Sequence, residues 1–130
     1  MRQFLHFLPA AIWFVIICGL YSMHQSNFPS NSFWEIISLD KMIHLILFAY
    51  WTHLLLVAFH KQTKWSGLRD KAFAIALVLS LSIGVTFELL QGMIFASRHT
   101  ELLDLIANSA GSLIGMAVFK LVYADSVARE

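Results

Sequence analysis

Charge is scarce in this sequence. Only 13% of its 130 residues are Asp, Glu, Lys or Arg and 58% are apolar, against roughly a quarter and a half in soluble domains. A chain this short cannot hide so much apolar surface from water, because small domains have a poor ratio of core to surface. Lipid is therefore the solvent implied, and the length fits a single domain over 1–130. The net charge of +1 is too small to point to a nucleic-acid partner. Cysteine is nearly absent: Cys18 stands alone in an apolar run, which excludes an intrachain disulfide and reads as a small packing residue. Period-2 alternation is missing, so a closed β-barrel is excluded, and no internal repeat stands out. Arg2 and the apolar stretch after it have the outline of a signal peptide. Ser22-Met23-His24-Gln25-Ser26 offers no small-x-small cleavage site, so the segment is expected to stay as a signal anchor.

What the sequence does contain is four long apolar runs, at 4–21, 42–59, 72–95 and 102–123. A spanning helix needs about 20 mostly apolar residues, and in lipid every backbone N–H and C=O must be satisfied within the segment. The expected fold is all-α, an integral membrane four-helix bundle. With the N-terminus inside, cytoplasmic segments hold Arg2, Lys61, Lys64, Arg69, Lys71, Lys120 and Arg129, and the far side holds only Lys41 and Arg98. That asymmetry places both termini in the cytoplasm. Trp65 and Trp34 fit aromatic belts at the two interfaces. Residues 60–71 read as a short basic hairpin against anionic inner-leaflet lipid. Residues 22–39 begin with turn chemistry and end amphipathic through Phe33, Trp34, Ile36, Ile37 and Leu39, which suits the outer interface.

Ionisable groups within spans are costly and mark function. Here nearly all fall at one level. Asp40, Lys41 and His44 open the second span, Glu88 and Gln91 lie late in the third, and Arg98 and His99 follow it. Asp104 and Asn108 begin the fourth. On this topology all of them lie at or just below the outer surface. Asp40 and His44 are i, i+4 and share a face; Glu88 and Gln91 are i, i+3, with Gly84 on the same side. Asp104, Asn108, Gly111 and Gly115 form one stripe, whose Gly111-x-x-x-Gly115 part is a packing seam and whose upper part is polar.

Each piece also has a plainer reading. Asp40 and Thr100 serve as N-caps, Lys41 snorkels to headgroups, GxxxG packs helices, and Asn108 bonds between helices. His53 lies about half a turn round the helix from His44, so it faces elsewhere and reads as a packed or interfacial residue. Glu88 is different. It sits about 24 Å along its span with more apolar helix beyond, and a carboxylate there needs a partner or a proton. Arg98, Lys41 and His44 are the expected partners, and the first span is expected to be peripheral.

Asp40-Lys41-x-x-His44, Phe87-Glu88-x-x-Gln91, Arg98 and Asp104-x-x-x-Asn108-x-x-Gly111, in that order and at those distances, resemble the VanZ-like family of bacterial membrane proteins. The match runs from Asp40 to Gly115. His99 stands where small or aliphatic residues are more usual, and the first span carries no family signature. The resemblance implies a bacterial cytoplasmic-membrane protein whose founding member is linked to resistance to the glycopeptide teicoplanin. It implies no established reaction. Carried over residue by residue, it points to Lys41, His44, Glu88, Gln91, Arg98, Asp104 and Asn108.

Two functions lead. One is binding of a membrane lipid, anionic or lipid-linked to an envelope precursor, with Arg98, Lys41 and His44 taking the anion and Glu88, Asp104 and Asn108 orienting them. The other is a membrane-embedded enzyme acting on such a headgroup, with His44 as base or nucleophile, Glu88 or Asp104 orienting it and Arg98 stabilising charge. Ser97-Arg98-His99 has a faint likeness to lipid-phosphate phosphatases, whose histidine and aspartate spacing is missing. A metal on His44, Glu88, Asp40 or Asp104 suits the donor types, but no compact ligand motif exists, and neither metal nor cofactor is expected. A transporter would need a path that four helices barely enclose. A homo-oligomer is left open.

Overall fold

A computed structural model describes residues 2–22, 39–94 and 102–123. It is helical, with no strand among those residues. A 3₁₀ segment, Arg2–Phe7, leads into α1 (Leu8–Tyr21); then follow α2 (Leu39–Lys61), a short α3 (Ser66–Asp70), α4 (Ala72–Ile94) and α5 (Leu102–Val122). Four stretches are long and apolar enough to cross a membrane: Phe4–Tyr21, Leu39–Lys61, Ala72–Met93 and Leu102–Val122. These match the four expected runs to within a few residues. The second begins earlier than 42, so Asp40 lies in the first turn of α2 rather than ahead of it as a cap.

α2 is the central helix. It packs on α1, α4 and α5, most closely on α5. Ile17, Phe48, Leu56 and Phe119 are fully buried in the core. The outer faces carry Val78, Leu89, Met93, Leu102 and Leu121 exposed, an arrangement that is stable only against hydrocarbon. Without a hydrophobic drive between helices in lipid, specificity comes from close packing and polar bonds. Both are present. A Cβ at Gly111 would run into the Leu45 carbonyl, and one at Gly115 into the Ala49 carbonyl, so only glycine allows this α2–α5 approach. Midway down, Thr52 Oγ1 and Ser80 Oγ tie α2 to α4 at 2.8 Å, and Trp13 Nε1 donates to the Leu47 carbonyl at 3.0 Å, tying α1 to α2.

The bundle has two unlike ends. At one, the buried Gln62 side chain closes the turn after α2: its Nε2 donates to the Phe59 and Trp65 carbonyls, and its Oε1 accepts from Trp65 N–H at 2.8 Å. Trp65 meets the rings of Phe4 and Phe7 edge-on. Lys61, Lys64, Arg69, Lys71 and Lys120 surround this end. The expected basic hairpin at 60–71 thus contains one short helix. The amphipathic stretch expected at the far end falls mostly within 23–38, outside the described residues. At that other end, the C-terminus of α1, the N-terminus of α2, the C-terminal part of α4 and the N-terminus of α5 meet.

Candidate functional site

Those four helix ends bring the polar residues together. Asp40 and His44 lie one turn apart on α2, with His44 Nε2 3.7 Å from Asp40 Oδ1. The other ring nitrogen, Nδ1, faces Glu88 Oε1 of α4 at 3.6 Å and Asn108 Oδ1 of α5 at 3.1 Å. Lys41 Nζ is 3.1 Å from Asp104 Oδ1 of α5. Gln91, one turn beyond Glu88, donates from Nε2 to the Tyr21 carbonyl at 3.0 Å. The cluster is graded in depth: Glu88 is 2% exposed and Asn108 1%, whereas the side chains of Asp40 and Lys41 are 24% and 26% exposed. It is closed below and opens toward the end of the bundle.

Lys41, His44, Glu88, Gln91, Asp104 and Asn108 therefore belong to one constellation. Arg98 and His99 lie outside the described residues, as does Thr100. Gly111 and Gly115 continue the Asp104–Asn108 stripe as the packing seam on α2. Gly84 faces the Asn108 amide, where a Cβ would sit 3.4 Å from Nδ2.

Two expectations need correction. Lys41 pairs with Asp104 and not with Glu88. Position 41 lies on the seam between α2 and α5, whereas Glu88 approaches from α4 beside His44. The first span is not peripheral to the site either. Tyr21, the last residue of α1, is buried with its hydroxyl 2.8 Å from His44 Nδ1, and it donates to Asn108 Oδ1 at 3.1 Å. Its ring packs on His44 and Phe87 at centroid distances of 4.8 and 4.7 Å. Nothing in the spacing marks Tyr21. The only signal is its level, because a span running outward from the N-terminus ends in the same layer as the other polar groups.

Asn108 Oδ1 receives the Tyr21 hydroxyl, so a proton on His44 Nδ1 finds acceptors in Tyr21 Oη and Asn108 Oδ1, with Glu88 Oε1 3.6 Å away as a charge partner. The Asn108 amide nitrogen is buried with no hydrogen-bond partner among the described residues, and a buried donor of that kind is a place for an incoming acceptor. Asp40, His44 and Asp104 also bring one ligand atom each within 4.8 Å of one another, and an imidazole with two carboxylates suits a divalent cation. The sequence offers these three with Glu88 as candidate ligands, and the fold brings Asp40, His44 and Asp104 together. The Lys41 ammonium supplies a positive charge beside Asp104.

Four helices long and apolar enough to span a membrane, around a buried ionisable cluster at one end of the bundle, define a polytopic membrane protein. The chain belongs to the VanZ/LLP1 family, whose model matches residues 2–123. It is thus a membrane protein related to glycopeptide resistance. No curated protein and no solved structure matches it.

Proposed function

We propose that this protein sits in a bacterial cytoplasmic membrane with both termini in the cytoplasm. In this reading its polar end faces outward and binds the headgroup of an envelope lipid or lipid-linked precursor. The observation that carries the reading is the graded cluster itself: polar groups sealed by apolar helices below and about a quarter exposed at Asp40 and Lys41 above. Its chemistry fits a headgroup that combines phosphate with hydroxyl or amine groups. Lys41, with Arg98, takes phosphate; the carboxylates of Asp40, Glu88 and Asp104 bond hydroxyls or amines; the Asn108 amide nitrogen offers a donor at the floor.

The orientation rests on the excess of Lys and Arg at the opposite end of the bundle. A reporter active only outside the cytoplasm is expected to be silent when fused after Lys64 or Glu130 and active after Asn31. Activity at Glu130 would defeat the orientation.

Headgroup binding is tested on the lipids that co-purify with the full chain. One headgroup class should be enriched at least about tenfold over the bulk membrane, which corresponds to about 1.4 kcal/mol. Glu88→Gln and Lys41→Gln should both abolish that enrichment without unfolding the helices. Co-purifying lipid of bulk composition would remove the reading.

A second reading has one specific observation in its favour. Each ring nitrogen of His44 faces a carboxylate, and Nδ1 also meets a tyrosine hydroxyl. That is an arrangement able to orient a general base. A membrane-embedded enzyme using His44, Glu88, Arg98 and Asp104 would turn the bound headgroup over rather than merely retain it.

A further inference from the structure

The seam between α2 and α5 does more than hold the helices together. On α2, Lys41, Leu45, Ala49 and His53 recur every four residues, which aligns them along one face. On α5 the facing residues are Gly111, Gly115 and Val118. Because the glycines let the α5 backbone touch the Leu45 and Ala49 carbonyls, the larger side chains on either side stand clear of each other. Ile46 and Tyr50 from α2 and Ile114 and Val118 from α5 form two walls over an Ala49–Gly115 floor. The result is a groove of about 360 Å³, almost entirely apolar. All four wall residues are exposed on the outside of the bundle, and both helices span the membrane, so the groove opens to hydrocarbon.

Its two ends differ. One turn beyond Leu45, on the same stripe, stands the Lys41–Asp104 ion pair at the rim of the polar cluster. At the other end His53 closes the groove, its ring beside the stacked rings of Phe119 and Tyr123 at centroid distances of 6.0 and 6.2 Å. From Leu45 to His53 is eight residues, about 12 Å of helix. A second transmembrane helix, about 10 Å across with its side chains, is too wide for a slot floored by one alanine–glycine contact. A single run of methylenes fits.

We infer that the α2/α5 groove seats one hydrocarbon chain of a membrane lipid whose headgroup lies at the Lys41–Asp104 end. The head half of this statement rests on the headgroup reading above; the tail half rests on the groove alone. The helix seam thereby sets a direction for the ligand. Its polar part enters the cluster from the α2/α5 side, and its chain runs toward His53. The slot ends at Leu45, one turn from Lys41 at the polar rim, so a ligand with both parts gains from each, and a free water-soluble headgroup gains from only one.

The test is native mass spectrometry of the full chain, reconstituted with dioleoylphosphatidylglycerol and released from detergent. One lipid per chain should survive release. Two variants fill the groove, Ala49→Leu from its floor and Val118→Trp from one wall, and each should cut retention at least about tenfold, the equivalent of about 1.4 kcal/mol. Leu121→Trp changes an exposed residue that does not line the groove, and it should retain lipid as the parent does. Equal thermal melting of the four proteins excludes misfolding as the cause. The inference is overturned if the parent retains nothing, if both filled variants retain as much as the parent, or if the parent flies as a lipid-free dimer that Val118→Trp splits. The last outcome would make the groove an interface between copies. Lys41→Gln separates head from tail. If it and the parent hold dioleoylphosphatidylcholine and dioleoylphosphatidylglycerol equally while the filled variants lose both, the tail slot stands and the headgroup reading falls.

Discussion

Gly111→Ala and Gly115→Ala each lower the unfolding free energy by about 1–3 kcal/mol, the usual cost of overpacking a closed contact. Reversible unfolding in mixed detergent micelles measures it. The reason is local and severe. The new methyl group would meet backbone rather than a flexible side chain: the Leu45 carbonyl in one case and the Ala49 carbonyl in the other. Neither carbonyl can move without shifting α2, the helix on which all the other spans pack. Gly19→Ala is the control. A Cβ there meets nothing within 4 Å, so stability should stay level or rise by up to about 1 kcal/mol from helix propensity. The two seam glycines are in one contact, so the double variant should depart from additivity. If Gly111→Ala were as harmless as Gly19→Ala, the close approach of α2 and α5 would be wrong.

His44→Phe has the second large effect, about 3–5 kcal/mol of lost stability. The substitution keeps a flat ring but takes the imidazole from between the Asp40 and Glu88 carboxylates. It also strips a partner from Tyr21 and Asn108. Breaking one member of a buried charged group costs more than the group contributes, because the remaining charges keep their desolvation penalty. His44→Phe combined with Glu88→Leu should therefore be more stable than His44→Phe alone, with a coupling energy of about 0.5–3 kcal/mol. Headgroup enrichment should be absent in both. Stability recovered without function separates the site's chemistry from its role in holding the bundle. An unchanged melting curve for His44→Phe would show that the cluster is not coupled through this ring.

The layer of polar residues is legible in the sequence because helical periodicity and topology are both one-dimensional. Asp40 and His44 share a face by their spacing, as do Glu88 and Gln91, and the Asp104–Asn108–Gly111–Gly115 stripe follows from spacing alone. Each span's polar end could then be assigned to a level. Pairing could not be read this way. Which cation met which carboxylate depended on the rotation of each helix about its axis and on its neighbours. Lys41 was as free on paper to reach Glu88 as Asp104, and only the α2–α5 contact decided for Asp104. Tyr21 was missed for a related reason. A tyrosine at the end of a span is unremarkable at an interface, and its role arises from the packing of its ring on His44 and its hydroxyl at Nδ1.

The sequence by itself determined the solvent, the number of spans, the helical class and the layer in which chemistry would gather. Too little charge, four apolar runs and backbone satisfaction in lipid leave no other solution. It also determined where helices could touch, since glycine spacing is visible in the chain. Tertiary structure alone decided that α2 is the hub, that α1 reaches into the site through Tyr21, and that Asp40, His44 and Asp104 converge within 4.8 Å. It alone opened a groove beside the glycine seam. These features depend on distances between residues far apart in the chain. In lipid, such distances are set by side-chain packing and interhelical bonds rather than by a hydrophobic drive that composition could reveal.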